Sequence, residues 1–258
     1  MPNDSIHKFL RLKFIRLRRV INRYCHPYVN LSLYQDCLRG KKGIEIGGPS
    51  MIFCDALPVY GMVDEIDCIN HSSETIWCNR SVEPTAWRYS REYICDAINL
   101  SIIPDASYDF LLSSHSLEHI ANPLRALAEW MRILKHGAYL LIIVPDKRFT
   151  FDHLRPVTAF SHILTDFEQN TGEDDLSHLP EVVRLHDAKL DLLSKDMGSD
   201  WSNNLQTRRM HHHVFDRDLL RQICDYSGLE TMRTDWINPY HIVMLAKKSR
   251  FAGLPYIL

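Results

Sequence analysis

The residues best suited to chemistry in this 258-residue chain are carboxylates, glycines and histidines that fall just after short apolar runs. Lys42-Gly43-Ile44-Glu45-Ile46-Gly47-Gly48-Pro49-Ser50 is one such run, ending in an acid and two glycines. Cys95-Asp96 closes another, and Ser113-Ser114-His115-Ser116-Leu117-Glu118-His119 follows a third. Glycine lets a backbone approach a ligand without a Cβ, a carboxylate accepts from hydroxyl and amino donors, and imidazole moves protons at neutral pH or binds a metal. His115, Glu118 and His119 stand at i, i+3 and i+4, positions that share one face of a helical turn. The string also matches H-x-x-E-H, a zinc-peptidase signature. That chemistry needs the motif inside a helix, whereas here it follows a strand.

The elements that must position these groups alternate. Gly43–Ile46, Tyr93–Asp96, Tyr108–His115 and Ala138–Val144 read as strands. A helix follows His119, with Asn122 as N-cap, Pro123 at the first position and Gly137 to end it. Leu124, Leu127, Ala128, Met131 and Leu134 form its apolar face. Asp216–Ser227 reads as another helix, with Gly228 after it. Such alternation predicts a parallel sheet covered on both faces, with ligands at the carboxyl ends of its strands, where the acids and glycines fall. The dinucleotide fingerprint G-x-G-x-x-G is absent, because Pro49 and Met51 stand where glycines are needed. A cofactor with an adenosine and no phosphates suits what remains.

In combination these strings resemble class I S-adenosylmethionine-dependent methyltransferases of the type 11 kind, with features of O-methyltransferases. Asn122-Pro123-Leu124-Arg125-Ala126-Leu127 belongs to the same pattern, and Arg132-Ile133-Leu134-Lys135-His136-Gly137-Ala138 resembles the family's RVLKPGG segment. The resemblance spans roughly residues 40 to 145 and 211 to 247, and its ordered combination is specific where each piece is weak. It departs at Pro49, which holds the place of the family's second loop glycine. It implies an α/β, Rossmann-like, doubly wound fold: a mostly parallel seven-stranded sheet with an antiparallel last strand and an inserted lid. Glu230–Trp236 and His241–Ala246 would be the closing antiparallel pair. Residues 1–40 would be a basic amphipathic helical segment, and 41–258 the methyltransferase domain, with 146–210 the inserted substrate lid.

The resemblance also implies a set of adenosylmethionine contacts. Glu45, Gly47 and Gly48 would meet its amino and carboxylate groups. Asp67, preferred over Asp64, would accept both ribose hydroxyls from the end of the second strand. Asp96 would accept from the adenine amino group beside the Ala97 amide, and Ser114 and His115 would line the cavity near the sulfonium. Small-RNA 2′-O-methyltransferases and ubiquinone-pathway O-methyltransferases carry E-x-x-E-H where this chain has His115 to His119, and use it to hold a divalent metal. The RNA enzymes add a histidine from an H-x-F-E string, which His213-Val214-Phe215-Asp216 resembles. The candidate metal set is therefore His115, Glu118, His119 and His213. A metal there would lower the pKa of an acceptor hydroxyl. Without metal, the candidate bases are His119, His213 and His153.

The acceptor is expected to be polar and hydroxyl-bearing, a sugar or polysaccharide, because the insert carries many Asp, His and Arg residues. Its Thr150-Phe151-Asp152-His153-Leu154-Arg155-Pro156 string resembles one in methyltransferases encoded near polysaccharide-biosynthesis genes. Two other readings stand beside this one. RNA 2′-hydroxyl methylation fits the histidine pattern, and a non-catalytic scaffold of the same fold fits Pro49.

Charge bears on both. Through Lys42 there are ten basic residues against two acids, and the rest of the chain carries 20 basic and 30 acidic residues. Net acidity over that remainder disfavours nucleic acid as a partner, since phosphate contacts dominate such affinity. Ile6, Leu10, Phe14, Leu17 and Ile21 recur at helical spacing among basic residues, so the first 24 residues would lie on an anionic membrane or pack on the sheet. Seven cysteines without a C-x-x-C pair argue against a disulfide frame or zinc knuckle. No apolar run reaches the ~18 residues of a membrane span. A cytoplasmic protein, or one peripheral at the inner face of the membrane, is expected.

Overall fold

The computed structural model describes residues 31–73, 89–191 and 201–249, so the proposed basic helix over the first 24 residues lies outside the described part. Its centre is a seven-stranded sheet. The strands are β1 (Lys42–Ile46), β2 (Glu65–Asn70), β3 (Glu92–Ile94), β4 (Tyr108–Ser114), β5 (Leu134–Pro145), β6 (Leu229–Ile237) and β7 (His241–Lys248), in the order β3-β2-β1-β4-β5-β7-β6. β1 pairs in parallel with β2 and β4, β2 with β3, and β4 with β5. The antiparallel part is the expected closing hairpin, with β7 inserted between β5 and β6.

Burial on both faces follows from the strand period of two. Ile44, Ile46, Leu111, Leu140, Ile142, Val144, Met244 and Ala246 share one core with α2 (Pro123–Ile133) and α6 (Arg217–Tyr226). Their neighbours Phe110, Leu112, Leu141, Ile143, Val243 and Leu245 face the other core, against α1 (Leu31–Leu38) and Phe53. α2 begins as its sequence requires: the Asn122 side chain accepts from the Arg125 amide at 3.1 Å, with Pro123 behind it. It ends at Ile133, ahead of the expected stop at Gly137. Gly137 instead takes its left-handed φ of +72° inside β5, where pairing with β4 jumps register between Tyr108 and Phe110. Asp216 caps α6 through the Leu219 amide at 2.8 Å.

Between β5 and α6 the chain makes α3 (Phe160–Glu168), α4 (Leu179–Leu185) and the single turn α5 (Asn204–Thr207). These carry the segment expected as a lid. Buried Arg155 fastens it, donating to Glu181 at 2.7 Å and to the His211 carbonyl at 2.8 Å.

Candidate active site

A cavity of about 590 Å³ opens at the carboxyl ends of β1, β2 and β4, roofed by Phe151, Asp191, Arg208 and His211 from the following segment. Its size lies within the range of small-molecule sites. The floor starts at Gly47, whose φ of +74° turns the chain sharply after β1; a Cβ there would lie 2.6 Å from Ser116 Oγ. Gly48 and Pro49 are joined by a cis peptide, and Pro49 and Ser50 line the cavity. Gly48 itself is hemmed in from behind, where a Cβ would come within 2.1 Å of the Tyr89 hydroxyl and 2.5 Å of the Glu45 carboxyl carbon.

Glu45 braces this loop. Fully buried, it accepts from the hydroxyls of Tyr60 at 2.6 Å and Tyr89 at 2.9 Å and from the Ser50 amide at 3.1 Å. Burial raises its pKa, against those donors. Asn70 and His71 form the cavity wall where β2 ends, and Cys95, Asp96 and Ala97 form it past β3. Asp96 accepts from Arg208 at 2.6 Å and from the Ile98 amide at 3.1 Å, tying this wall to the roof. Arg208 also pairs with buried Glu173 at 2.7 Å.

Past β4 the wall is built of imidazoles. His115, at φ +52°, sits 2.7 Å from His241 (Nε2 to Nδ1) and 3.4 Å from Glu118 Oε1. Glu118 is buried, and its Oε2 has no hydrogen-bond partner. Burial works against its charge, yet the His115 contact and the neighbouring imidazoles pull its pKa below the ordinary value. His119 lies against His211, ring centroids 4.6 Å apart. Burial and that neighbour push its pKa down to about 3, so it is neutral at physiological pH. His211 is held from behind by buried Asp152, Oδ2 to Nδ1 at 2.8 Å. Despite burial, His211, Thr150 and Arg155 keep the Asp152 pKa well below the usual carboxylate range. Its charge fixes the His211 proton on Nδ1 and leaves Nε2 for chemistry. Donor atoms of Glu118, His119 and His211 all lie within 4.8 Å of one another.

A family model described as a methyltransferase domain matches residues 16–234. The chain belongs to that methyltransferase family. A SAM-dependent methyltransferase from Aquifex aeolicus is similar at 14% identity, covering 85% of this chain and 89% of the other, with TM-score 0.49. The PH0226 protein from Pyrococcus horikoshii shares the fold at 12% identity over 91% of each chain, with TM-score 0.51. The 1,6-didemethyltoxoflavin-N1-methyltransferase of Burkholderia thailandensis, solved with S-adenosylhomocysteine, matches at 12% identity over 95% of this chain and 90% of its own, with TM-score 0.48. No curated protein matches by sequence. The chain is an adenosylmethionine-dependent methyltransferase with the Rossmann-like, mostly parallel sheet that its sequence implies.

Among the residues that the sequence singles out, Gly47, Asp96, Ala97, Ser114, His115, Glu118 and His119 line the cavity of this methyltransferase. Five expected residues do not. Glu45 is spent on Tyr60, Tyr89 and Ser50 beneath the loop. Asp67 lies mid-strand, paired in register with Ile44, and accepts from the Tyr108 hydroxyl at 2.6 Å in a separate pocket with Lys42. His153 bonds to Asp187 at 3.1 Å outside the cavity. His213 is buried outside it, with Nε2 3.1 Å from the Ala121 carbonyl. The expected metal set therefore divides: His115 and His213 leave it, and His211 stands with Glu118 and His119. Gly48, too, packs against Glu45 and Tyr89 rather than lining the cavity. Asn70, Asp152, Arg208, His211 and His241 went unassigned. The signals for two of them are the Thr150–Pro156 string and the His211-His212-His213 run, in which the sequence points to the neighbours His153 and His213.

Proposed function

We propose that this methyltransferase methylates a hydroxyl of a polar, polyhydroxylated acceptor such as a sugar, with His211 as general base. The observation that carries this is the buried Asp152–His211 pair at 2.8 Å, whose imidazole faces the cavity beside His119. An imidazole with a fixed tautomer and an anion behind it accepts a hydroxyl proton and is stabilised as imidazolium. His119 is a poorer base, because a pKa near 3 leaves it little proton affinity.

Adenosylmethionine would rest on Gly47, Pro49 and Ser50, with its ribose at Asn70 and His71 and its adenine at Asp96 and Ala97. Bound there, it supplies a sulfonium methyl that is already a good electrophile. The rest of catalysis is positioning of the acceptor in line with that methyl, the task of Phe151, Arg208 and the other roof residues. A sugar acceptor is supported by the polar roof, and a nucleic acid is disfavoured by the acidic balance past Lys42.

A second reading of the same wall rests on the buried, unpartnered Glu118 Oε2: a divalent ion on Glu118, His119 and His211 would bind and acidify the acceptor hydroxyl. Isotope-labelled methyl transfer into fractionated glycans and small molecules tests the function, with and without chelator. Label entering carbohydrate despite chelator supports the base; loss of transfer, restored by added divalent ion, supports the metal. Label confined to amines or RNA overturns the proposed acceptor.

A further inference from the structure

A second group of imidazoles lies away from the cavity, where α3 and the loop before α4 meet the segment leading into α6. Donor atoms of His162, His178 and His213 all lie within 4.8 Å of one another. His162 and His178 approach through their Nε2 atoms at 3.0 Å. Asp166, one turn along α3 from His162, points its Oδ2 into the group, 3.4 Å from His162 Nε2 and 3.7 Å from His213 Nε2. Its Oδ1 is held by the Thr171 hydroxyl at 3.1 Å, which sets the carboxylate's orientation.

The cluster has too many acceptors for its donors. A shared proton accounts for the His162–His178 contact. Nothing accounts for Asp166 Oδ2 or for His213 Nδ1, both buried and without a hydrogen-bond partner. Asp166 is 6% and His213 1% exposed, so water does not reach them freely. An unsatisfied buried acceptor is destabilising, and a cation among them would remove that cost at each position. The Ala121 carbonyl against one nitrogen of His213 is the backbone contact that orients metal-ligating histidines. Ligand atoms on a tetrahedral ion with bonds of ~2.0–2.1 Å stand roughly 3.3 Å apart, close to the His162–His178 and His162–Asp166 separations of 3.0 and 3.4 Å.

We propose that His162, His178, His213 and Asp166 form a closed zinc site that fastens the insert to the methyltransferase core. Three imidazoles and a carboxylate suit zinc among the divalent ions, and four protein ligands leave no open position, as in structural rather than catalytic sites. Half-exposed His162 offers the ion a way in. The site anchors the tripeptide His211-His212-His213 at its far end, two residues from the imidazole that faces the cavity.

The test uses the full chain carrying Glu118→Ala and His119→Ala, so that the cavity group cannot hold metal. After expression with zinc and dialysis, elemental analysis should find a single zinc ion per chain. Cobalt exchanged for it should give the intense visible absorption of a tetrahedral centre. Adding His178→Ala should abolish both signals. If that variant does not fold, the parent double variant is stripped with chelator and titrated with zinc alone, and its melting temperature should rise by several degrees. Zinc at background with no thermal shift, or zinc content unchanged by His178→Ala, overturns the site.

Discussion

The cavity's rim and its roof are built in opposite ways. The rim comes from strand ends, where each group is fixed by the residues next to it in sequence: Gly47 by the turn after β1, Asn70 by the end of β2, Ser114 and His115 by the end of β4. The roof's decisive pair, Asp152 and His211, lies 59 residues apart and is brought together by an insert held through Arg155, Arg208 and Glu173. The rim thus tolerates change in its parts while the sheet stands. The roof depends on every tether, which is where specificity for an acceptor is most easily altered.

The sharpest way to break this contrast is at the roof. His211→Ala should lower the methyl-transfer rate by ~10²–10⁴, the usual contribution of a general base, with adenosylmethionine affinity by calorimetry nearly unchanged. Asp152→Asn should fall in the same direction, because the amide neither fixes the tautomer nor stabilises the imidazolium. A His211→Ala enzyme at parental rate would assign catalysis to positioning alone.

At the rim, Glu45→Ala tests a residue that works through others. It takes the carboxylate acceptor from the buried hydroxyls of Tyr60 and Tyr89, while the Ser50 amide keeps the Tyr60 oxygen at 2.8 Å; each hydroxyl left unsatisfied costs ~1–3 kcal/mol. Denaturant unfolding should report the loss directly, and cofactor affinity should fall only as the loop loosens. A large loss of affinity without loss of stability would return Glu45 to direct cofactor contact.

His212 lies between the two histidine clusters, buried against Asn204 at 3.1 Å, its pKa pushed down to about 3 by burial and by the cations and imidazoles around it. The unfolded chain therefore binds a proton that the folded one refuses between about pH 6.5 and 3, so stability should fall as pH drops through that window. For a group with this pKa the loss from pH 7 to 5 is about 2 kcal/mol. Glu173 beside it acts oppositely, because burial raises its pKa to about 7 and stabilises the folded state as pH falls toward the ordinary carboxylate range. The variant His212→Asn isolates the first effect: its stability should depend less on pH than the parent's over this range. Equal slopes would mean His212 is protonated in the fold.

Much of the rim was legible in the sequence because it is local. A strand followed by Gly47, a cap such as Asn122 and the order of alternating elements each leave a mark within a few residues. The roof was not, since no spacing rule links Asp152 to His211, and among three consecutive histidines the sequence does not say which faces the cavity. At two rim positions the structure departs from the sequence expectation for a reason of register. Glu45 and Asp67 carry the right chemistry, but the strand period turns Glu45 beneath the loop and leaves Asp67 three residues short of the strand end.

That last displacement provides the smallest and cleanest test of the rim. Asp67 and Asn70 lie on the same strand, both buried. Asn70 lines the cavity and donates to the Gly48 carbonyl at 3.3 Å and to Glu92 at 3.0 Å, so it supports the loop as well as facing the ligand. Asp67 faces Tyr108 and lies 3.6 Å from Lys42, remote from that wall. Asn70→Ala should therefore weaken adenosylmethionine binding by ~0.5–1.5 kcal/mol, the net worth of an ordinary hydrogen bond. Asp67→Asn keeps an acceptor for Tyr108 and removes only charge, so cofactor affinity should stay within error of the parent while thermal stability drops slightly, since Lys42 loses one anion but keeps Glu65 at 2.9 Å. Affinity lost with Asp67 and kept without Asn70 would place the ribose at mid-strand, which the pairing of Asp67 with Ile44 deep in the sheet argues against.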